Sequence, residues 1–98
     1  MSAQAGTVAG EVLVELLQAM ELFPPMHSAH EAIAVIEEEF LELRDEVFWG
    51  LKKAQRLPLA RTGEPSDDPV YRHRQAMRTE AIQTAAMAIR FIVEVCDG

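Results

Sequence analysis

Proline decides where this chain cannot be helical. The five prolines stand at positions 24, 25, 58, 65 and 69. Inside a helix a proline removes one backbone hydrogen bond and clashes with the preceding turn. Three stretches escape that restriction, and each carries apolar residues at helical spacing. In residues 8–22 they are Val8, Val12, Leu13, Leu16, Leu17 and Met20, and "FPP" (23–25) ends the run. The second helix is expected over 28–54. Ser28-Ala-His-Glu31 fits a capping box, and the stripe continues through Ala32, Ile33, Ile36, Phe40, Leu43 and Val47, with Gly50 as a weak point. Residues 56–68, "RLPLARTGEPSDD", read as a loop. Asp68-Pro69 reads as N-cap and first residue of a third helix, 69–95, whose second half is almost wholly apolar. No segment reads as a strand. The expectation is an all-α chain, one domain over 1–98, with three helices (about 8–22, 28–54 and 69–95) in a bundle completed by oligomerisation.

Charge narrows the function classes. Net charge is −7, unevenly spread. Residues 1–51 hold ten acids against Arg44 alone, whereas residues 52–98 hold eight Lys/Arg against six acids. An acidic chain is a poor match for duplex nucleic acid or an anionic membrane surface. No apolar run reaches the ~20 residues of a membrane span, and the first twenty residues lack the basic start of a signal peptide. Cys96 is single, so the default setting is a reducing cytoplasm.

The acids concentrate. Six of the ten residues from Glu37 to Glu46 are acidic, and Glu42 has carboxylates at both i±3 and i±4. Such like-charge pairs weaken a helix by roughly 0.2–0.5 kcal/mol each. Glu38, Glu39 and Glu42 spell E-E-x-x-E, and beyond a 37-residue gap Glu80 and Gln83 repeat the i, i+3 spacing. If the second and third helices pack antiparallel, the two pairs face each other. Carboxylate and amide oxygens are hard ligands that suit Mg²⁺ or Mn²⁺, and a divalent ion turns the repulsion into attraction. The alternative is a solvated glutamate face: His73, Ala76, Glu80, Gln83, Met87, Arg90 and Glu94 share one stripe that can equally face water.

"EEEFLELRDEV" followed by "RTEAIQTAAMAIRFI" resembles the MazG-type nucleotide pyrophosphohydrolases of the all-α NTP pyrophosphatase superfamily. The stretches 23–47 and 78–93 are similar to short MazG-like proteins of phages and bacteria. The family pattern is E-E-x-x-E, a spacer, then E-x-x-D. Glu38, Glu39 and Glu42 match the first motif and Glu80 opens the second, with Gln83 where the family usually has Asp. The resemblance implies Mg²⁺ (or Mn²⁺) held by Glu39, Glu42, Glu80 and Gln83, with Glu38 beside them to orient or deprotonate water. The implied reaction is hydrolysis of a nucleoside triphosphate, NTP or dNTP, to monophosphate and pyrophosphate, a nucleotide-pool house-cleaning activity. Gln83 removes one negative charge but keeps an oxygen ligand and adds an amide donor.

Arg72, Arg74 and Arg78 precede Glu80 by up to two turns and can hold a phosphate tail; the alternative is surface basicity paired with the acidic helix. Phe48 and Trp49 end an apolar stripe, as core or interface more readily than as a base-stacking platform. His27, His30 and His73 have no further ligands for zinc, Cys96 has no basic neighbour, and "RTGEP" is not a phosphate loop. A second class of function stays open, a catalytically weak or inactive bundle acting as a binding or assembly module, for which Gln83 and the short chain argue. A third, an acidic mimic of nucleic acid, sits poorly with the basic segment 72–78. Partners expected are a nucleoside triphosphate and further copies of the chain, as a dimer or tetramer.

Overall fold

The computed structural model describes residues 3–56 and 68–98. Three helices account for most of them: α1 (Ala3–Leu22), α2 (Ala29–Arg56) and α3 (Pro69–Phe91), followed by a π-helical turn at Ile92–Cys96. Among the described residues there is no strand. Of the expected loop 56–68, Arg56 ends α2, Asp68 caps α3, and 57–67 lie outside the described residues.

The caps work through local chemistry. Glu31 N–H donates to Ser28 Oγ at 3.1 Å. The Glu31 carboxylate accepts from His27 N–H at 3.0 Å, so the return bond lands one residue earlier than in the standard box. At α3, Val70 N–H donates to Asp68 Oδ1 at 2.9 Å, and Pro69 takes the first helical position. α1 begins at Ala3 rather than near residue 8. Its first turns lack an apolar stripe, but Ala3 and Ala5 are strong helix formers, and Thr7 Oγ1 donates to Ala3 O at 3.0 Å.

α2 runs unbroken through Gly50, which is buried. A Cβ there would meet the Glu46 carboxylate and His73 Nδ1, the latter at 2.8 Å. The glycine is therefore a point of close approach between α2 and α3, not a break.

α3 is the central element, packed on both α2 and α1. Glu46 of α2 meets His73 of α3, while Glu39 and Glu42 meet Glu80. Numbers rise on one helix as they fall on the other, so α2 and α3 are antiparallel. Glu11 pairs with Arg78, and the Pro24 carbonyl meets Arg90; α1 thus runs parallel to α3. The core is small: Val12, Leu16, Ala19, Met26, Ala32, Ala86 and Met87, with Val35, Ile36, Ile82, Ala85, Phe91 and Val95 around it.

The outer faces of α1 and α2 carry exposed apolar side chains. Leu13, Val14 and Leu17 of α1 are exposed, as are Ile33, Phe40, Val47 and Phe48 of α2. Half of the expected α2 stripe therefore points outward, and the inner face is Ala32, Ile36, Glu39, Leu43, Glu46, Gly50 and Ala54. The radius of gyration is 15.9 Å, above the ~13 Å of a compact chain of about 100 residues. No helix among the described residues is long and apolar enough to cross a membrane.

Candidate metal centre and adjoining cleft

The antiparallel seam brings the acidic cluster of α2 against α3. Glu39 and Glu42 stand one turn apart on α2, and Glu80 faces them from α3. One carboxylate oxygen from each lies within 4.8 Å of the others. Ligands of Mg²⁺ sit 2.0–2.1 Å from the ion, so two of them are at most about 4.2 Å apart. The observed spacing is within a side-chain adjustment of that limit.

The electrostatics are unfavourable as they stand. Glu39 Oε2 and Glu80 Oε2 are shielded from solvent and have no hydrogen-bond partner. Burial, then the charges of Glu42, Glu80, Glu38 and Glu15, hold the Glu39 carboxyl above the ordinary glutamate value. Glu80 is raised too, by burial, then by the charge of Glu42 and a hydrogen-bonding contact with it, then by Glu46. Two carboxyls in such contact require a proton or a cation between them. Shielded oxygens without partners, in an all-oxygen donor set of hard ligands, fit a divalent ion of the Mg²⁺ class.

The stripe that could have faced water faces inward. His73, Ala76, Glu80 and Gln83 are half-buried, and Met87 and Arg90 are buried. Glu38, Glu39 and Gln83 line one end of a cleft of about 540 Å³, within the ~300–1,000 Å³ of small-molecule sites. α3 lines it with Met87 and Arg90, α1 contributes Glu15 and Ala19, α2 also contributes Glu31 and Val35, and Phe23, Pro24 and Met26 lie towards Arg90, which meets the Pro24 carbonyl.

The three arginines read as phosphate ligands do not line that cleft. Arg78 is ion-paired to Glu11 of α1, and Arg74 is exposed. Arg72 lines a smaller cleft, about 210 Å³, with Glu46, Lys53 and His73, one turn further along the α2–α3 seam. There His73 Nδ1 stands 3.5 Å from Glu46 Oε1, ion-pair distance without hydrogen-bond geometry. Phe48 and Trp49 are not core in this chain: both are exposed, under Arg44 at 5.8 Å and Lys52 at 5.6 Å respectively. Cys96 is exposed.

Arg90 also lines the cleft, although its spacing in the sequence does not single it out. Its signal is visible only in hindsight: Arg90 and Glu94 are an i, i+4 pair in an otherwise apolar helix end. Comparison of the chain with family models, curated proteins and solved structures finds no match to any of them.

Proposed function

We propose that this chain is a Mg²⁺-dependent nucleoside triphosphate pyrophosphohydrolase, converting an NTP or dNTP to the monophosphate and pyrophosphate, as the MazG-like resemblance implies. The observation that carries the proposal is the juxtaposition of Glu39, Glu42 and Glu80 within 4.8 Å, at the edge of a nucleotide-sized cleft. Two shielded carboxylate oxygens there lack partners.

Glu39, Glu42 and Glu80 would hold the ion, and Mn²⁺ can replace Mg²⁺ in such a set. Gln83 stands beside them in the cleft. Its carbonyl oxygen can join the ligands, or its amide can donate to a phosphate oxygen. The bound ion supplies neutralisation of the triphosphate and a lowered pKa for coordinated water. Glu38 is exposed on the flank and free to accept a proton from the attacking water. The water oxygen bonds to phosphorus as the bond to pyrophosphate breaks. Of the three arginines, Arg72 is best placed for the phosphate tail, because its cleft adjoins the carboxylates along the seam.

The exposed apolar side chains of α1 and α2 support a homo-oligomer, dimer or tetramer. The single exposed Cys96 supports a reducing, cytoplasmic setting. The same side chains favour a second reading, a non-catalytic assembly module on the MazG-like fold, with Gln83 as its mark. Incubation with a panel of NTPs and dNTPs plus Mg²⁺ or Mn²⁺ separates the two. Pyrophosphate release that disappears in Glu39→Gln supports the enzyme. Its absence across the whole panel, from protein that still self-associates, leaves the module.

A further inference from the structure

Among the described residues, Arg90 is the only charged or polar one that is buried. Its partner Glu94 is nearly as enclosed, the two side chains being 6% and 7% exposed. A buried ion pair is weak evidence for stability, since desolvation offsets much of the attraction. This one occupies space in a core that has little to spare, so its geometry points to a use.

The guanidinium is held on three sides. Nε donates to Glu94 Oε1 at 2.5 Å and to Oε2 at 3.2 Å. Nη2 donates to the Pro24 carbonyl at 2.6 Å, tying α3 to the turn after α1. Phe23 lies against the plane, its ring centroid 6.0 Å from Cζ. Nη1, with two N–H groups, has Met87 Sδ at 4.0 Å, and a thioether is a weak acceptor. Arg90, Met87 and Phe23 all line the 540 Å³ cleft, and Phe23 keeps 58% of its surface exposed. A fixed donor edge thus stands beside an open aromatic face, about two turns along α3 from Gln83. Arg90 follows Glu80 by ten residues, about 15 Å along α3, comparable with the reach of a nucleotide from base to phosphate chain.

We infer that this end of the cleft binds the nucleobase, with the ring stacked on Phe23 and an exocyclic carbonyl accepting from Arg90 Nη1. The inference rests on the nucleotide reading and adds the base selection. Guanine, uracil and thymine offer a carbonyl at an outer edge; adenine offers an amino group there, which faces Arg90 donor to donor. Glu94 and the Pro24 carbonyl act as positioning groups, because they fix the plane of the guanidinium.

Binding of monophosphates without metal tests this separately from hydrolysis. Titration calorimetry with GMP, UMP and AMP should give GMP and UMP about tenfold tighter binding than AMP, the scale of discrimination expected for a hydrogen-bonded base edge. Phe23→Ala should weaken all three. Arg90→Met/Glu94→Met replaces both charges with apolar groups of similar reach, so the fold survives, and it should bring the three affinities together. Equal wild-type affinities, or no binding of any monophosphate, overturn the inference. So does selectivity that persists in the double variant. Selective binding by a protein that releases no pyrophosphate would overturn the hydrolase reading and leave the base site standing.

Discussion

The two ends of the cleft handle buried charge in opposite ways. At one end Glu39, Glu42 and Glu80 are like charges, and Glu39 Oε2 and Glu80 Oε2 are shielded without a partner. At the other, Arg90 and Glu94 are opposite charges, more deeply enclosed, with the Pro24 carbonyl taking a further donor. The first arrangement leaves Glu39 Oε2 and Glu80 Oε2 without partners, whereas the charges of the second are complete within the chain and Nη1 of Arg90 meets a weak acceptor, Met87 Sδ. The lesson is that burial alone does not mark a ligand site. What marks it is whether the polar atoms have found their partners.

The largest expected effect comes from breaking the complete end. Arg90→Met alone leaves Glu94 enclosed without its partner and should cost about 3–5 kcal/mol of stability in urea unfolding. Arg90→Met/Glu94→Met should recover most of that loss. If the single variant is as stable as wild type, the pair is not buried in solution.

At the incomplete end, divalent metal should stabilise the native state. A hundredfold excess over Kd adds about 2.7 kcal/mol, read as a rise in Tm, and Glu39→Gln/Glu42→Gln should abolish the gain. A double variant as metal-responsive as wild type would make the carboxylates a solvated face.

Gln83→Asp sharpens the contrast by adding one more carboxylate to the incomplete end. It should tighten Mg²⁺ binding and, without metal, destabilise by about 0.2–0.5 kcal/mol per new like-charge pair. Calorimetric affinity unchanged by the substitution would remove position 83 from the ligand set.

The smallest effect is a pH trend. Glu39 and Glu80 have carboxyls raised above the ordinary glutamate value in the folded state. Between that ordinary value and the raised ones, the folded chain binds more protons than the unfolded chain. Stability should therefore fall as pH rises through this window and increase on acidification into it. Tm followed from about pH 4 to pH 7 checks this, since the window opens near the usual glutamate range. The contribution should be absent in Glu39→Gln/Glu80→Gln and should flatten with saturating metal. A metal-free slope identical in wild type and double variant would contradict it.

The α2 and α3 starts were legible from sequence because caps are local. Ser28 and Glu31, or Asp68 and Pro69, act within one turn. The α2 core face was half legible. The arc from Ile33 to Val47 is apolar on more of its circumference than α3 can cover, so hydropathy alone could not say which side is buried. α3 packs against Ala32, Ile36 and Leu43, taking Glu39 and Glu46 inward and leaving Ile33, Phe40 and Val47 exposed. In the candidate site, the E-E-x-x-E and Glu80/Gln83 spacings were readable because i, i+3 residues share a helix face. The positions of Arg72, Arg74 and Arg78 relative to the cleft were not, since they depend on the register between α2 and α3.

By itself, the sequence determined three helices, two of their caps and the crowding of carboxylates on α2, all consequences of neighbours within four residues. Tertiary structure alone decided that Glu80 faces Glu39 and Glu42, that Gly50 is an approach point for His73, and that Arg90 is held by Pro24, 66 residues away. Those contacts are set by how helices cross and slide on one another. That choice joins residues far apart in the chain, and no short window of residues contains it.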